Sequence, residues 1–226
     1  MKIATVTPSI GGTSSSARPR RVRSAMRIAA AILFSTTVIA AASADTADAA
    51  QSRFTSIANR DCTFAPIGDE PGEDDDQLKT CAGLGGSKVL VNALETRLRI
   101  GFVWPKIDRP GGPIWVVEAW SAGFVIDWRG AQGPKGFVPY AAIVRITFAR
   151  DGGPRVGDQV LAVIRVTAGN ACVMGAVDVV KNRKANELAH EIADAHPSFI
   201  CGKDKPIIGG VGTSAAAEIV KGVADQ

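Results

Sequence analysis

The stretch YAAIVRITFAR-DGGPRVGD-QVLAVIRVT, residues 140–167, decides the fold class. Its two outer runs, residues 140–150 and 159–167, are rich in Val, Ile and Thr, which favour β-strands. The central run, residues 151–158, contains Gly, Pro and Asp, which are typical of turns. Together they predict two antiparallel strands joined by a turn.

Further strand candidates lie on both sides of this hairpin. Residues 97–104, RLRIGFVW, begin with the alternation of polar and apolar side chains that indicates a half-buried strand. The other candidates are Arg53–Ile57, Asp61–Ile67, residues 87–94, Ile114–Arg129 as one strand or as two that meet near Gly123, and Ala171–Val180. The spacing predicts an antiparallel sheet of about six to eight strands.

One amphipathic helix is predicted near the C-terminus, over Arg183–Ala195. Asn182 is the expected N-cap, and Pro197 follows the predicted end. Apolar residues recur at three- and four-residue spacing and form one stripe, whereas His190 and its polar neighbours lie on the opposite face. The stripe comprises Ala185, Leu188, Ala189, Ile192 and Ala195. The predicted fold class is therefore α+β, with this helix packed on the sheet.

The first 44 residues predict a cleavable signal peptide, with Met26 as an alternative start. Six basic and no acidic residues precede an apolar, alanine-rich run over residues 28–42, which is too short for a typical membrane-spanning helix. Cleavage is expected before Asp45, with Ala50 as the second candidate. These features predict export to the periplasm or the extracellular space, without a permanent membrane anchor.

The remaining chain divides into three predicted parts. Residues 45–52 are expected to form a mobile lead-in, residues 53–201 a single domain, and residues 202–226 a low-complexity tail in which Ser214 is positioned to cap a short helix. Residues 68–76, GDEPGEDDD, are expected to form a solvated loop because their six carboxylates disfavour burial.

The charge balance argues against a nucleic-acid partner. Without residues 1–44, the chain keeps 20 basic and 22 acidic residues, a formal net charge of −2. It also lacks a cluster of Lys and Arg interleaved with aromatic residues. The basic character of the full chain therefore belongs to the predicted signal peptide.

Four cysteines, Cys62, Cys81, Cys172 and Cys201, predict two disulfides in an oxidising compartment. Three connectivities are open, and we favour Cys62–Cys81 with Cys172–Cys201 because each pair closes a local loop. A structural zinc site is the alternative. The cysteine pairs lack the short spacing of zinc ligands, and the chain contains only two histidines.

No sequence motif predicts catalytic, cofactor-binding or metal-binding residues. The run GLGGSK at 83–88 lacks the spacing of a phosphate-binding loop and precedes a predicted strand. Residues 212–215, GTSA, lack the final glycine of a hydrolase nucleophile elbow. The acidic loop departs from the ligand order of an EF-hand. A turn, a tail segment and a solvated loop are the expected structures.

Four tryptophans, Trp104, Trp115, Trp120 and Trp128, lie within some twenty-five residues. Stacked aromatic rings would suit a carbohydrate. Their location in predicted strands favours packing in the core.

The cysteine environments carry a resemblance. The chain has Asp61-Cys62 after a short strand, Cys81-Ala82-Gly83 before another, Cys172-Val173, and a helix followed by Phe199-Ile200-Cys201. In these features it resembles a family of small, uncharacterised secreted or periplasmic bacterial proteins with two disulfides and no assigned function. The resemblance implies both favoured bridges and no active site. The acidic loop, Lys79-Thr80 and the tail depart from the pattern.

The expected function is that of an exported, non-catalytic binding or structural module for a protein or another envelope component. An exposed apolar patch or an open sheet edge would support it. The first alternative is a hydrolase-type enzyme, which predicts a concave site with His190 or His196 beside carboxylates. The second is a carbohydrate or small-molecule binder in the Trp104–Trp128 region, which predicts two exposed tryptophan faces.

Overall fold

The computed structural model describes residues 49–66, 77–94, 97–107, 112–150 and 153–221. The predicted signal peptide, the cleavage site before Asp45 and the acidic loop lie outside the described residues. Of the second cleavage site, only Ala49 and Ala50 are described. Nothing in the described part therefore bears on these predictions.

The described residues form strands and short helices. The strands in chain order are β1 Gln51–Ser56, β2 Cys62–Pro66, β3 Gln77–Ala82, β4 Lys88–Ala93, β5 Leu98–Val103, β6 Ile114–Ala119, β7 Ser121–Gly133, β8 Gly136–Arg150, β9 Gly153–Thr167, β10 Asn170–Asp178 and β11 Ile207–Gly209. The helices are α1 Ala185–Ala195, α2 Ser214–Lys221 and a short 3-10 helix over Asn59–Asp61.

The strands form two sheets. Sheet A has the order β1-β7-β8-β9-β10-β11, and sheet B has the order β2-β3-β4-β5-β6. All neighbours are antiparallel except β10 and β11, which are parallel. The hairpin expected from residues 140–167 is present as β8 and β9, but β9 begins at Gly153, within the run 151–158 that was expected to form the turn. The fold is thus mostly β.

The prediction of one sheet with six to eight strands and one helix is corrected to two sheets with eleven strands and two α-helices in the described part. The higher strand count arises because β3 and β11 lie in segments for which no strand was predicted. The division into two sheets arises in the segment Ile114–Arg129. It contains β6 and β7, which are separated only by Trp120, and the chain passes there from sheet B to sheet A. Local alternation indicates a strand but does not identify the strand with which it pairs.

The core lies between the two sheets. Alternate residues of β7 to β10 pack against residues of β4 and β5, because successive side chains of a strand point to opposite faces. Trp128 and Phe102 are both fully buried, and their rings meet edge to face with centroids 5.9 Å apart. This geometry is favourable for aromatic pairs and adds about 1 kcal/mol to the burial of their apolar area.

Helix α1 packs on the opposite face of sheet A. Its buried residues Ala185, Ala189, Ile192 and Ala193 contact a second apolar cluster that includes Val163. The packing of the predicted stripe on a sheet is confirmed for Ala185, Leu188, Ala189 and Ile192, whereas Ala195 is exposed and Ala193 is buried instead.

The predicted N-cap of α1 is wrong. The helix begins at Ala185 after Lys184, without a hydrogen bond from a capping side chain. The Asn182 amide instead donates to the carbonyls of Asp178 and Val211, and its Oδ1 accepts from the Val211 N–H. Asn182 therefore holds the later chain against the end of β10.

The structure extends the domain at both ends of the predicted range 53–201. Strand β1 begins at Gln51, within the expected lead-in. In the expected tail, β11 pairs with β10, and α2 buries Ala215, Ala216 and Ile219 in the core between the sheets. Residues after 201 therefore contribute to the core.

The four cysteines pair as the sequence analysis favoured. Cys62 and Cys81 occupy opposite positions on β2 and β3, with their Cα atoms 4.4 Å apart. Cys172 of β10 is bonded to Cys201, which lies beyond α1. Two disulfides in a small domain indicate an oxidising, exported environment. None of the described helices has the length and apolar character needed to cross a membrane.

Candidate interaction surface

Strand β1 forms a free edge of sheet A. It pairs with β7 on one side, and no strand of the described residues pairs with its other side. The Ile57 N–H donates to the Phe124 carbonyl at 2.8 Å. Because backbone groups alternate in direction along an antiparallel ladder, the N–H and C=O groups of Ser52, Phe54 and Ser56 point away from β7. These groups are available to an added strand.

An exposed apolar patch lies beside this edge. We define the Phe54 patch as Phe54 and Val125, whose residues are 65% and 53% exposed. Phe54 lies opposite Asp127 in the ladder and Ser56 opposite Val125, so Phe54 and Val125 are diagonal neighbours on one face. Clustered exposed apolar residues on an open edge are typical of an interaction site.

A groove of about 520 Å³ adjoins the same strand. It is lined by Ser52, Arg53 and Phe54 of β1, by Leu84 and Gly85 before β4, and by Phe137 of β8. The groove is therefore bordered by sheet A and by the turn that precedes β4, next to the free edge of β1.

Arg53 supplies a positive charge to this groove. Its guanidinium lies 5.8 Å from the centroid of the Phe137 ring, a cation–π arrangement. Gly130 leaves room for that ring, since a Cβ atom there would lie 2.5 Å from Phe137 Cζ. Arg53 is exposed and forms no ion pair with a carboxylate within the described ranges. The groove thus combines aromatic surface with an available cation.

A polar network next to the patch fastens α1 to sheet A. Arg129 of β7 donates two hydrogen bonds to Asp194 of α1, at 3.0 and 2.5 Å, and one to Ser52 Oγ at 2.9 Å. The Tyr140 hydroxyl donates to Asp194 at 2.6 Å. The network therefore joins β1, β7, β8 and α1.

The pKa values of this network favour its observed charges. Burial and the hydrogen bond to Asp194 raise the pKa of Tyr140 to about 12. Burial alone would raise the pKa of Asp194, but the hydrogen bonds from Arg129 and Tyr140 outweigh it and leave that pKa lowered. The same pairing raises the pKa of Arg129. An ion pair bonded to a neutral tyrosine is thus the stable state.

His190 is part of the contact between α1 and sheet A and is not an ordinary surface residue. Its Nε2 lies 2.6 Å from Asp127 Oδ2, and both side chains are half-buried. The other oxygen, Asp127 Oδ1, is buried and has no hydrogen-bond partner among the described residues. His196 is exposed just after α1.

The enzyme hypothesis predicts His190 beside carboxylates in a concave site. The structure brings His190 to Asp127, but neither residue lines the groove beside β1. The two nearby hydroxyls are already bonded, Ser52 to Arg129 and Tyr140 to Asp194. This arrangement suits the attachment of a helix better than the activation of a nucleophile. All four cysteines are in disulfides, which leaves no thiolate for the zinc alternative.

The tryptophans do not form a common platform. Trp104 and Trp128 are buried in the core, in agreement with the favoured interpretation. Trp115 is half-buried, and Trp120 is 41% exposed. One exposed ring is insufficient for the two stacking faces expected of the carbohydrate alternative.

No sequence motif identifies Arg53, Phe54 or Phe137 as a binding residue. The alternation in 53–57 indicates a strand, but it does not reveal that α1 leaves the β1 end of sheet A open. That information depends on pairing between β1 and β7, whose partners lie 69 to 79 residues apart in sequence. Phe54 carries no local signal of exposure.

Comparison of the chain with protein-family models, with curated proteins and with solved structures finds no match in any of the three. The resemblance to small secreted bacterial proteins stays a prediction. The surface beside β1 is therefore the basis for inferring a function.

Proposed function

We propose that the protein is an exported, non-catalytic binding module that captures an extended segment of another envelope protein at the free edge of β1. The observation that carries the proposal is the coincidence of unpaired backbone groups, the Phe54 patch and a groove on one strand. Periplasmic and extracellular partners are both compatible with it.

Strand addition uses these features together. Main-chain hydrogen bonds from Ser52, Phe54 and Ser56 would supply affinity, and contacts with side chains on either face of the edge would supply specificity. Phe54 also offers apolar area that a guest strand would remove from water.

The same features make an uncovered edge hazardous. A sheet edge with an exposed phenylalanine favours pairing between copies and aggregation. Natural edges are commonly protected by charge, proline or a covering element. Coverage by a partner strand would remove this hazard.

Site-specific photocrosslinking tests the proposal. A benzophenone amino acid replaces Phe54 in protein produced in the native host with its own N-terminal segment. The matched control places the same amino acid at Val180, which is 52% exposed and lies beyond β10, at the other side of sheet A.

Irradiation is expected to give one discrete heavier adduct from position 54 and none from position 180. An excess of a soluble partner fragment identified from the adduct should suppress it. The proposal is contradicted if position 54 gives no adduct, or if both positions give the same set of adducts.

A further inference from the structure

We propose that the captured segment carries an acidic residue directly beside an apolar residue, positioned opposite Arg53 and Phe54. This inference rests on the proposed function and specifies its ligand class, an extended acidic–apolar peptide.

Arg53 and Phe54 present different chemistry on opposite faces of β1. Arg53 lies opposite Trp128 in the ladder, and its guanidinium contacts Phe137 at the end of the core between the sheets. Phe54 lies opposite Asp127, whose side chain contacts α1 on the other face of sheet A. Since the two residues are consecutive, they point to opposite faces.

A guest strand would reproduce this alternation. A residue directly opposite another across a strand pair shares its face, with Cβ atoms about 4.5–5.5 Å apart. The guest residues facing Arg53 and Phe54 are therefore neighbours in sequence, whichever direction the guest strand runs. This requirement defines a dipeptide rather than two independent positions.

The charge at β1 selects the acidic member of the pair. Arg53 has no described carboxylate partner, and a guest carboxylate opposite it would form a charge-assisted hydrogen bond. At the end of the strand, Lys79 Nζ donates to the Ile57 carbonyl at 2.7 Å and to Asn59 Oδ1 at 3.2 Å. A second positive charge thus lies just beyond the end of β1, which adds to the preference for an acidic guest residue over a basic one.

The test is selection from a displayed library of random twelve-residue peptides against the folded protein. Four targets are compared: wild type, Arg53→Glu, Phe54→Thr and the control Arg183→Glu. Arg183 is exposed before α1, so the control makes the same charge change away from β1.

Peptides enriched on wild type are expected to contain Asp or Glu next to an apolar residue. Replacement of Arg53 by Glu should weaken them about tenfold, since it turns one attractive pair into a repulsive one. Exchange of the peptide's acidic residue for Lys should restore binding to this variant. Phe54→Thr should relax the choice of the apolar neighbour, and Arg183→Glu should change neither preference.

Two other outcomes separate the inference from the proposed function. Enriched peptides without an acidic preference, or with unchanged affinity for Arg53→Glu, would overturn the inference and leave strand capture standing. No enrichment above the library background on any target would overturn both.

Discussion

The carboxylate of Asp194 in α1 accepts two hydrogen bonds from the guanidinium of Arg129 in β7, at 3.0 and 2.5 Å. This pairing joins the helix to the strand beside β1. It holds one border of the proposed binding edge in place, because Arg129 also donates to Ser52.

Replacement Asp194→Asn should lower the free energy of unfolding by about 2–3 kcal/mol, because it leaves the buried Arg129 without its charged partner. Urea denaturation at neutral pH measures the loss. Glu191→Gln, an exposed change on the same helix, should stay within about 0.5 kcal/mol of wild type. Equal stabilities of the two variants would contradict the role assigned to the pair.

The Asp194 pair also predicts a pH dependence. The pKa of Asp194 is lowered in the folded state, so its contribution is present above the pKa of the unfolded chain. That contribution is lost as the pH falls through the folded pKa. As the pH is lowered from 5 to the point of acid unfolding, Asp194→Asn should therefore lose less free energy of unfolding than wild type. If the free energy of unfolding falls equally steeply with decreasing pH in the two proteins, this contribution is excluded.

Tyr140 provides a separate titration. It is the chain's single tyrosine, so the ultraviolet absorbance of tyrosinate reports on this residue alone. Its pKa is raised to about 12 in the folded state from an ordinary value of 10.0, and its contribution to stability is lost as the pH rises from 10 towards 12. A titration midpoint near 10, while circular dichroism still shows the folded state, would contradict the contact with Asp194.

The bridge Cys172–Cys201 should stabilise the attachment of α1. Replacement of both cysteines by Ala is expected to lower the free energy of unfolding by about 3 kcal/mol, because a separation of 29 residues closes a sizeable loop in the unfolded chain. Denaturation measures this loss, and peptide mapping without reductant checks that Cys62–Cys81 is retained. A loss below about 0.5 kcal/mol would contradict the assigned role.

Helix α2 should behave as part of the core. Ile219→Ala is expected to cost about 2–4 kcal/mol because Ile219 is buried between the sheets. The neighbouring change Glu218→Ala, on the exposed side, should cost less than about 0.5 kcal/mol. Similar small effects of both changes would indicate that α2 contributes little to folding.

The sequence predicts those secondary-structure elements that a local pattern of residues is sufficient to specify. Val, Ile and Thr in residues 140–167 predict the central hairpin, and the apolar stripe predicts α1. The favoured cysteine pairs are also present, since each closes a loop between neighbouring parts of the fold.

The division into two sheets could not be predicted because it depends on non-local pairing. Trp120 marks the passage between sheets, yet its neighbours on both sides have the same strand pattern. His190 and Asp194 lie on the polar face of α1, but partners on β7 cover part of that face. The binding edge was missed for the same reason, since β1 is defined by its pairing with β7.

Residue-resolved amide exchange in the purified protein, alone and saturated with a peptide from the selection, tests strand capture most directly. In the free protein, the amides of Ser52, Phe54 and Ser56 should exchange rapidly, whereas those of Arg53, Thr55 and Ile57 should be protected by β7. Bound peptide should slow the exchange of the first three amides, so that protected and unprotected amides no longer alternate along β1. If bound peptide leaves the alternation unchanged, the free edge of β1 is not the binding site.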